Sequence, residues 1–479
     1  MKNIQWLLMS CVVFFHSFHL VVFSISSAEF LSQLKQTHPF FKSEALSEPI
    51  SAQRLIQAGS LYQWGGELSS NVSYSEPSAL SAFTPEHSRQ YRAKGSLTKS
   101  LWHTGGTVSV SGQSLAVDQQ YRPSAMAASG VFGYDQYYES SLGITYRHPL
   151  LRNANGVQTK LPYQLAELDV SFSRYSSHDR LEGFLIQALQ QYYDWVFLQE
   201  HSLILMDQFD ILQQDLDLTR RKFRENLVTE VDVLRAEDSV RLVDQQKRMV
   251  LGQLKAKQAE LGTLLQDPYF NQKKPDFDVY KPIDLPNTSD LLPLIKGRSH
   301  RLHLIDVQID QVKLQLAAAR HELKPDVALV TSYQVSALDQ NNVPVSDFRY
   351  QSYSLGVEYV FSLKNTGLKA RVIELEHRLS QLVNQRKQLI INQLARAKQL
   401  VIELTQLRDI LSLNEAHIES AKKKTRVEKR LYSQGRNAYA FVIQARTNEQ
   451  QASLTYLQHA ILFHRLYVEL LSLTNQFQL

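Results

Sequence analysis

The residues Phe223-Arg224-Glu225-Asn226, with Val233-Leu234-Arg235-Ala236 after them, return 209 positions later as Tyr432-Ser433-Gln434-Gly435 and Val442-Ile443-Gln444-Ala445. A second pair repeats at nearly the same offset: Ser141-Leu142-Gly143-Ile144-Thr145-Tyr146 returns as Ser354-Leu355-Gly356-Val357-Glu358-Tyr359, 213 positions on. Two unlike segments recurring in one order predict a duplicated unit of about 210 residues, far longer than a solenoid repeat. Each copy has the same grammar of two short strands, a very long helix, a turn and a second long helix.

The helices follow from composition. Between Leu165 and Lys222 there is no proline and Gly183 is the only glycine, and Leu368 to Tyr432 has neither. Leu, Gln, Arg, Lys, Glu and Ala dominate, all good helix formers. Ile373, Leu375, Leu379, Leu382, Leu389, Leu394, Leu400, Leu404, Leu407 and Leu411 recur largely at three- and four-residue steps, a coiled-coil stripe. About 60 such residues would span about 90 Å, too far for a compact globule, so the helices must pair along their length. The charges between the stripes read as solvated faces.

The strands show period two. Val327, Leu329, Thr331, Tyr333 and Val335 fall on one face, and Tyr353, Leu355, Val357, Tyr359 and Phe361 alternate with Ser354, Gly356 and Glu358. In the first copy Val108 and Val110 alternate with Ser109 and Ser111, and Leu142, Ile144 and Tyr146 repeat the pattern. The stretches 115–138 and 337–348 are rich in Ser, Gly, Asn, Asp and Gln and read as loops. Four strands are visible, and four cannot close a barrel, for which about eight is the smallest useful number. Either they pack on something else or several chains build one barrel.

At the turns, Asn226-Leu227-Val228-Thr229 links the first helix pair, with Thr229 placed to cap the next helix and Asp232 as the acidic half of a capping box. In the second copy Gly435 stands where Asn226 stood; both types accept the left-handed conformation that ends a helix. Asn437 could cap there, and Phe441 replaces Asp232.

The expected organisation is a secretory leader over 1–28, an N-terminal segment 29–100 of unassigned role, a first repeat 101–290 and a second 291–479. The first repeat is expected to hold strands near 105–113 and 140–149, helices near 158–224 and 230–266, then an equatorial linker. The second should hold a helix near 291–322, strands near 326–336 and 350–363, and helices near 367–432 and 437–476. The leader is read from Lys2, the apolar run Ile4 to Val22, and small residues at Ser26-Ser27-Ala28. Beyond residue 28 no run of 18 apolar residues follows, so a membrane span would have to be a closed β-barrel. Cys11 is the only cysteine, which excludes a disulfide scaffold. With 52 Lys and Arg against 47 Asp and Glu, the net +5 is too small and diffuse for a nucleic-acid binder.

The tip motifs Phe223 to Ala236 and Tyr432 to Ala445 resemble the paired tip motifs of the TolC-type outer-membrane efflux family. Tyr146-Arg147-His148-Pro149-Leu150-Leu151-Arg152-Asn153 is similar to that family's exit from a strand into the first long helix, and Lys324-Pro325-Asp326-Val327 to its approach to the third strand. The resemblance covers roughly residues 100–479 and implies a mainly α fold with β. In it three subunits each give four strands to one 12-stranded outer-membrane β-barrel, above a periplasmic α-helical tunnel. The tyrosine-rich strand face would then meet outer-membrane lipid.

The function the resemblance implies is a passive duct, working with a periplasmic adaptor and an inner-membrane transporter in efflux or type I secretion and gated at the helix tips. Asp232 matches a position that ties neighbouring helices together in the closed state, and Arg436 and Asn437 lie where a basic partner is found. Some members carry acidic rings at positions matching Phe441 and Gln444; neither is charged here, so an aromatic constriction by Phe441 is the expectation. No cofactor, metal or catalytic residue is implied. Nor does the sequence hold a Gly-rich phosphate loop, His-Glu-x-x-His or Gly-x-Ser-x-Gly. His300 and His303 lack a third ligand and read as surface histidines. The competing reading is a secreted structural coiled coil without channel activity, which leaves the paired amphipathic strands unexplained.

Overall fold

The computed structural model describes residues 24–78, 84–121, 135–281, 283–286, 291–339 and 347–474. It divides into two compact units: one holds residues up to Lys42, Leu181–Pro293 and Ala395 onward, the other Ser43–Arg180 and Leu294–Leu394. In chain order the helices are α1 (Ser27–Thr37), α2 (Pro39–Ala45), α3 (Ser47–Ser60), α4 (Val157–Arg224), α5 (Glu230–Leu265), α6 (Leu291–Arg298), α7 (His300–Glu322), α8 (Thr366–Ser433) and α9 (Tyr439–Leu473). The strands are β1 (Ser24–Ser26), β2 (Gly65–Ser75), β3 (His87–Ser100), β4 (Thr107–Gln120), β5 (Gln136–Pro149), β6 (Lys274–Asp276), β7 (Asp326–Asp339) and β8 (Tyr350–Val360). Helices α4 and α8 are 68 residues each and contribute to both units. No described helix is long and apolar enough to cross a membrane.

The unit of Ser43–Arg180 and Leu294–Leu394 is ordered around one antiparallel sheet, β2-β3-β4-β5-β7-β8. This corrects the expectation of four strands: the described residues hold six in this sheet, and the added pair, β2 and β3, comes from the unassigned segment. The pair escapes notice because its apolar positions are sparse. On β2 they are Leu68, Val72 and Tyr74, and on β3 Tyr91, Ala93 and Leu97, set among serines, glycines and charges. Strand β4 likewise runs on to Gln120 through residues read as loop; residues 122–134 and 340–346 of the expected loops lie outside the described residues.

Register puts the apolar residues on one face. Leu97 lies opposite Val110, Val110 opposite Ile144, Ile144 opposite Tyr333, and Tyr333 opposite Tyr353. The other face carries Ser69, Lys94, Gln113, Ser141 and Ser336 in one continuous row. Where β5 gives way to α4, Asn153 closes the helix start. Its Oδ1 accepts from the backbone N–H of Gln158 and Thr159 at 2.9 and 3.0 Å, and its amide donates to the Gly105 carbonyl at 3.0 Å. Gly105 has φ +72°, and a Cβ there would stand 2.5 Å from the Asn153 carbonyl oxygen, so this corner requires glycine.

Residues 43–64, also unassigned by sequence, pack along the start of α4. Glu44 pairs with Arg180 at 2.7 Å, Ser51 hydrogen-bonds Ser173 at 2.5 Å, and Tyr62 meets Trp102 and Tyr163 edge to face. His300 and His303 are half-buried, which corrects their reading as surface residues. The His300 ring stacks on His178 and the His303 ring on Tyr175, and burial lowers the His300 pKa.

The other unit has an aromatic and aliphatic core of Phe30, Leu34, Leu185, Tyr192, Trp195, Leu261, Phe270, Leu457 and Ile461. Strand β1 pairs in parallel with β6, Ile25 is 4% exposed, and the Tyr192 hydroxyl donates to its carbonyl at 2.9 Å. Ser26 and Glu29 make a reciprocal capping box at the start of α1. Residues 24–28, at the end of the expected leader, form a strand and a helix cap in this unit. Residues 1–23 of that leader, with Lys2 and Cys11, lie outside the described residues. His464 is buried with Nε2 donating to the Val279 carbonyl at 2.8 Å, and burial pushes its pKa down.

Candidate functional site

The two helical turns named from the sequence both lie in this second-described unit, between α4 and α5 and between α8 and α9. Their closing geometry is the same. Asn226 has φ +60° and Gly435 φ +67°. Leu227 N–H reaches the Lys222 carbonyl at 2.9 Å, and Arg436 N–H the Leu431 carbonyl at 2.9 Å. Asn226 N–H and Gly435 N–H reach three residues back, at 2.9 and 3.1 Å. Each helix therefore ends in a Schellman closure around one left-handed residue.

The helix starts differ. At α5, Thr229 is the N-cap: Asp232 N–H donates to Thr229 Oγ1 at 3.4 Å, and Thr229 N–H donates to Asp232 Oδ2 at 3.1 Å. At α9 the N-cap is Ala438, which has no side chain able to cap. Asn437 was expected as a possible cap; it lies one residue too early. Its Oδ1 accepts from Ala438 N–H, and its amide donates to Glu428 Oε2 at 2.5 Å. Phe441 stands three residues past the cap, the position Asp232 holds in the first turn.

A common core supports both turns: Leu216 of α4, Ala236 of α5, Tyr432 of α8, and Tyr439 and Val442 of α9, with Val228 packed against them. The Tyr432 and Tyr439 rings lie 5.2 Å apart, and Lys222 Nζ sits 4.0 Å from the Tyr432 ring centroid. Burial pushes both phenol pKa values up, so these hydroxyls stay protonated. Phe441 is 55% exposed, so it does not pack inside its own hairpin. Gln444 is one turn along the same exposed face and donates to Asn448 at 3.0 Å. Leu227 is exposed at the first turn.

Within the single chain, Asp232 and Arg436 do not meet. Asp232 is held within its own turn, by Thr229 and by Arg235 at 3.8 Å. Arg436 is exposed and makes no ion pair among the described residues. Charge contacts that do cross helices were missed, one of them Arg220 of α4 on Glu237 of α5 at 2.8 Å beside the first turn. Asp215 of α4, 5% exposed, meets Lys429 of α8 at 2.8 Å, and Arg446 of α9 stands 3.8 Å from its second oxygen. Lys429, Arg446, Lys422 and Arg426 line a basic cleft of about 240 Å³ beside it. A signal was present: Asp215 sits on the buried stripe that includes Leu205, Leu212 and Leu216, where a lone carboxylate must find a cation.

No family model matches the chain, and no curated protein matches it. Solved structures do. The outer membrane protein VceC of Vibrio cholerae aligns over 94% of this chain and 95% of its own, with TM-score 0.68 and 14% identity. A membrane protein from Pseudomonas aeruginosa aligns over 95% and 91%, with TM-score 0.69 and 12% identity. The CmeC outer membrane channel of Campylobacter jejuni aligns over 94% and 85%, with TM-score 0.66 and 12% identity. At such identities the likeness is one of fold, and it extends over nearly the whole chain.

Proposed function

We propose that this chain, which shares the fold of those outer-membrane proteins, forms the outer-membrane channel of a tripartite efflux or type I secretion assembly. In this reading three copies pool their sheets into one barrel, and their long helices wall a periplasmic conduit. An adaptor and an inner-membrane transporter deliver the cargo, and the chain supplies a passage rather than a reaction. The observation that carries it is the two-sided sheet. Its apolar face exposes Leu68, Val72, Leu142, Ile144, Leu355 and Val357 to the surroundings, a surface that water does not tolerate and lipid does. The repeated order of two strands, a 68-residue helix, a turn and a helix of 36 or 35 residues is consistent with a duplicated unit serving one conduit.

Within that reading the turns form the gate. Phe441, exposed at the start of α9, is the constricting residue, closing the passage by dewetting. The test is electrical. Detergent-extracted protein added to planar bilayers is expected to give discrete unitary conductance steps, and Phe441→Ala to raise the closed-state conductance. A sample that remains a water-soluble monomer and never conducts defeats the channel. Unchanged closed-state conductance in the variant removes Phe441 from the constriction.

A further inference from the structure

We infer that the β2–β3 hairpin is part of the membrane wall, and that the free edge of β2 pairs with the free edge of β8 from a second copy of this chain, so that three copies close an 18-stranded ring. The inference rests on the channel reading above and departs from the twelve strands that the family resemblance implies.

Within one chain the sheet has two unpaired edges, β2 and β8. They are the two strands of this sheet in which every residue is exposed, and each is 11 residues long. An open edge in lipid leaves backbone N–H and C=O groups without partners, at several kcal/mol each in hydrocarbon, so each edge needs a strand. Within one chain the two edges do not meet, and outer-membrane barrels begin at eight strands, so a sheet of six does not close a membrane wall alone.

The second copy fits both edges. Every neighbouring pair in the sheet is antiparallel. With six strands, β2 and β8 therefore run in opposite directions, and copies can follow one another without a parallel joint. The faces also agree. Leu68, Val72 and Tyr74 of β2 share the apolar face with Tyr353, Leu355, Val357 and Tyr359 of β8, as the register across the sheet shows. Glu67, Ser69, Asn71 and Ser73 share the opposite face with Ser352, Ser354 and Glu358. Bringing Gly65 level with Val360 keeps both alternations in phase and sets Leu68 against Val357. The hairpin is thus two-sided in the same sense as the four strands it extends.

The consequence is width. At about 4.8 Å between strands and about 40° of tilt, a ring of eighteen has a backbone radius of about 18 Å, against about 12 Å for twelve. Arg92 and Lys94 of β3 face the lumen in this ring, and neither is drawn into an ion pair among the described residues.

Cross-linking decides it. With Cys11→Ser as background, Leu68→Cys is combined in turn with Leu355→Cys, Val357→Cys and Tyr359→Cys, which allows for stagger. Val110→Cys on β4 is combined with the same three, to report the ring that would close if the hairpin lay outside the wall. Oxidation of detergent-extracted, conducting protein is expected to link neighbouring copies through Leu68→Cys and not through Val110→Cys. Linkage through Val110→Cys, or through neither position in protein that conducts, overturns the inference and leaves the channel standing. Protein that never conducts overturns both.

Discussion

The two helical turns close in the same way and begin again differently, and the difference shows how one backbone solution can serve two purposes. Both use a left-handed residue, Asn226 or Gly435, and both satisfy the last carbonyls with the same pair of backbone bonds. After the first, Thr229 and Asp232 satisfy the new helix start by themselves. After the second, Ala438 and Phe441 leave it without a side-chain cap and present an aromatic ring to the surroundings. The second turn is steadied from behind by Asn437 on Glu428 and by Lys429 and Arg446 on Asp215, as the first is by Arg220 on Glu237. Both turns lean on neighbouring helices, and what separates them is the side-chain cap that one helix start has and the other lacks.

The contrast is broken most severely at Asp215. Asp215→Ala leaves Arg446 and Lys429 without their carboxylate and should cost about 3 kcal/mol, the low end for breaking a buried pair because Lys429 is half exposed. Asp217→Ala, two residues on and exposed, should stay within about 0.5 kcal/mol. Denaturant titration of the two variants side by side checks this; equal midpoints would show that the second turn does not lean on α4.

Next comes the residue type at the closure. Gly435→Ala forces a Cβ into the left-handed region and should cost about 1–2 kcal/mol. Asn226→Gly should be neutral or better, so the same measurement ought to move in opposite senses at matching positions. A smaller effect, about 1 kcal/mol, is expected from exchanging the helix starts: Thr229→Ala removes the first cap, and Ala438→Thr with Phe441→Asp rebuilds it at the second. If Ala438→Thr alone, which keeps the Phe441 ring, raises stability and closed-state conductance together, the bare start at α9 serves the gate rather than the fold.

The smallest change is expected from pH, and it spares both turns, which contain no histidine between residues 216–240 or 425–450. Burial lowers the pKa values of His201, His300 and His464 below the ordinary 6.5. The unfolded chain therefore takes up protons near pH 6.5 that the folded chain refuses, and stability is lost as pH falls below that value. The thermal midpoint should drop between pH 7 and pH 5 and drop less in His464→Gln. A turn-specific probe, such as fluorescence from a label at Leu227, should not move before the body melts.

The helices were legible almost to their ends: α4 was expected over 158–224 and occupies Val157–Arg224, and α8 was expected over 367–432 and occupies Thr366–Ser433. Proline-free stretches with leucines at three- and four-residue steps leave little alternative. The capping residue Thr229 and the left-handed positions were legible for a similar reason. The β2–β3 hairpin was not, because three apolar residues among eleven carry too weak an alternation to stand out against Ser, Gly and charge. Arg436 was expected as the basic group at the tip from the family resemblance, whereas Lys429 and Arg446 hold the buried carboxylate.

By itself the sequence determined the long helices, the two turns and the four clearest strands. Each depends on interactions within about four residues, or on an alternation that one segment displays alone. Only the tertiary structure decided that Gly65–Ser100 joins the sheet, that Ser24–Ser26 pairs with Lys274–Asp276, and which cations meet Asp215. These depend on partners 7 to more than 200 residues away, and no local preference encodes which distant group will arrive. A polar strand becomes a strand when a neighbour supplies its hydrogen bonds, and a buried carboxylate keeps its charge when folding brings a cation to it.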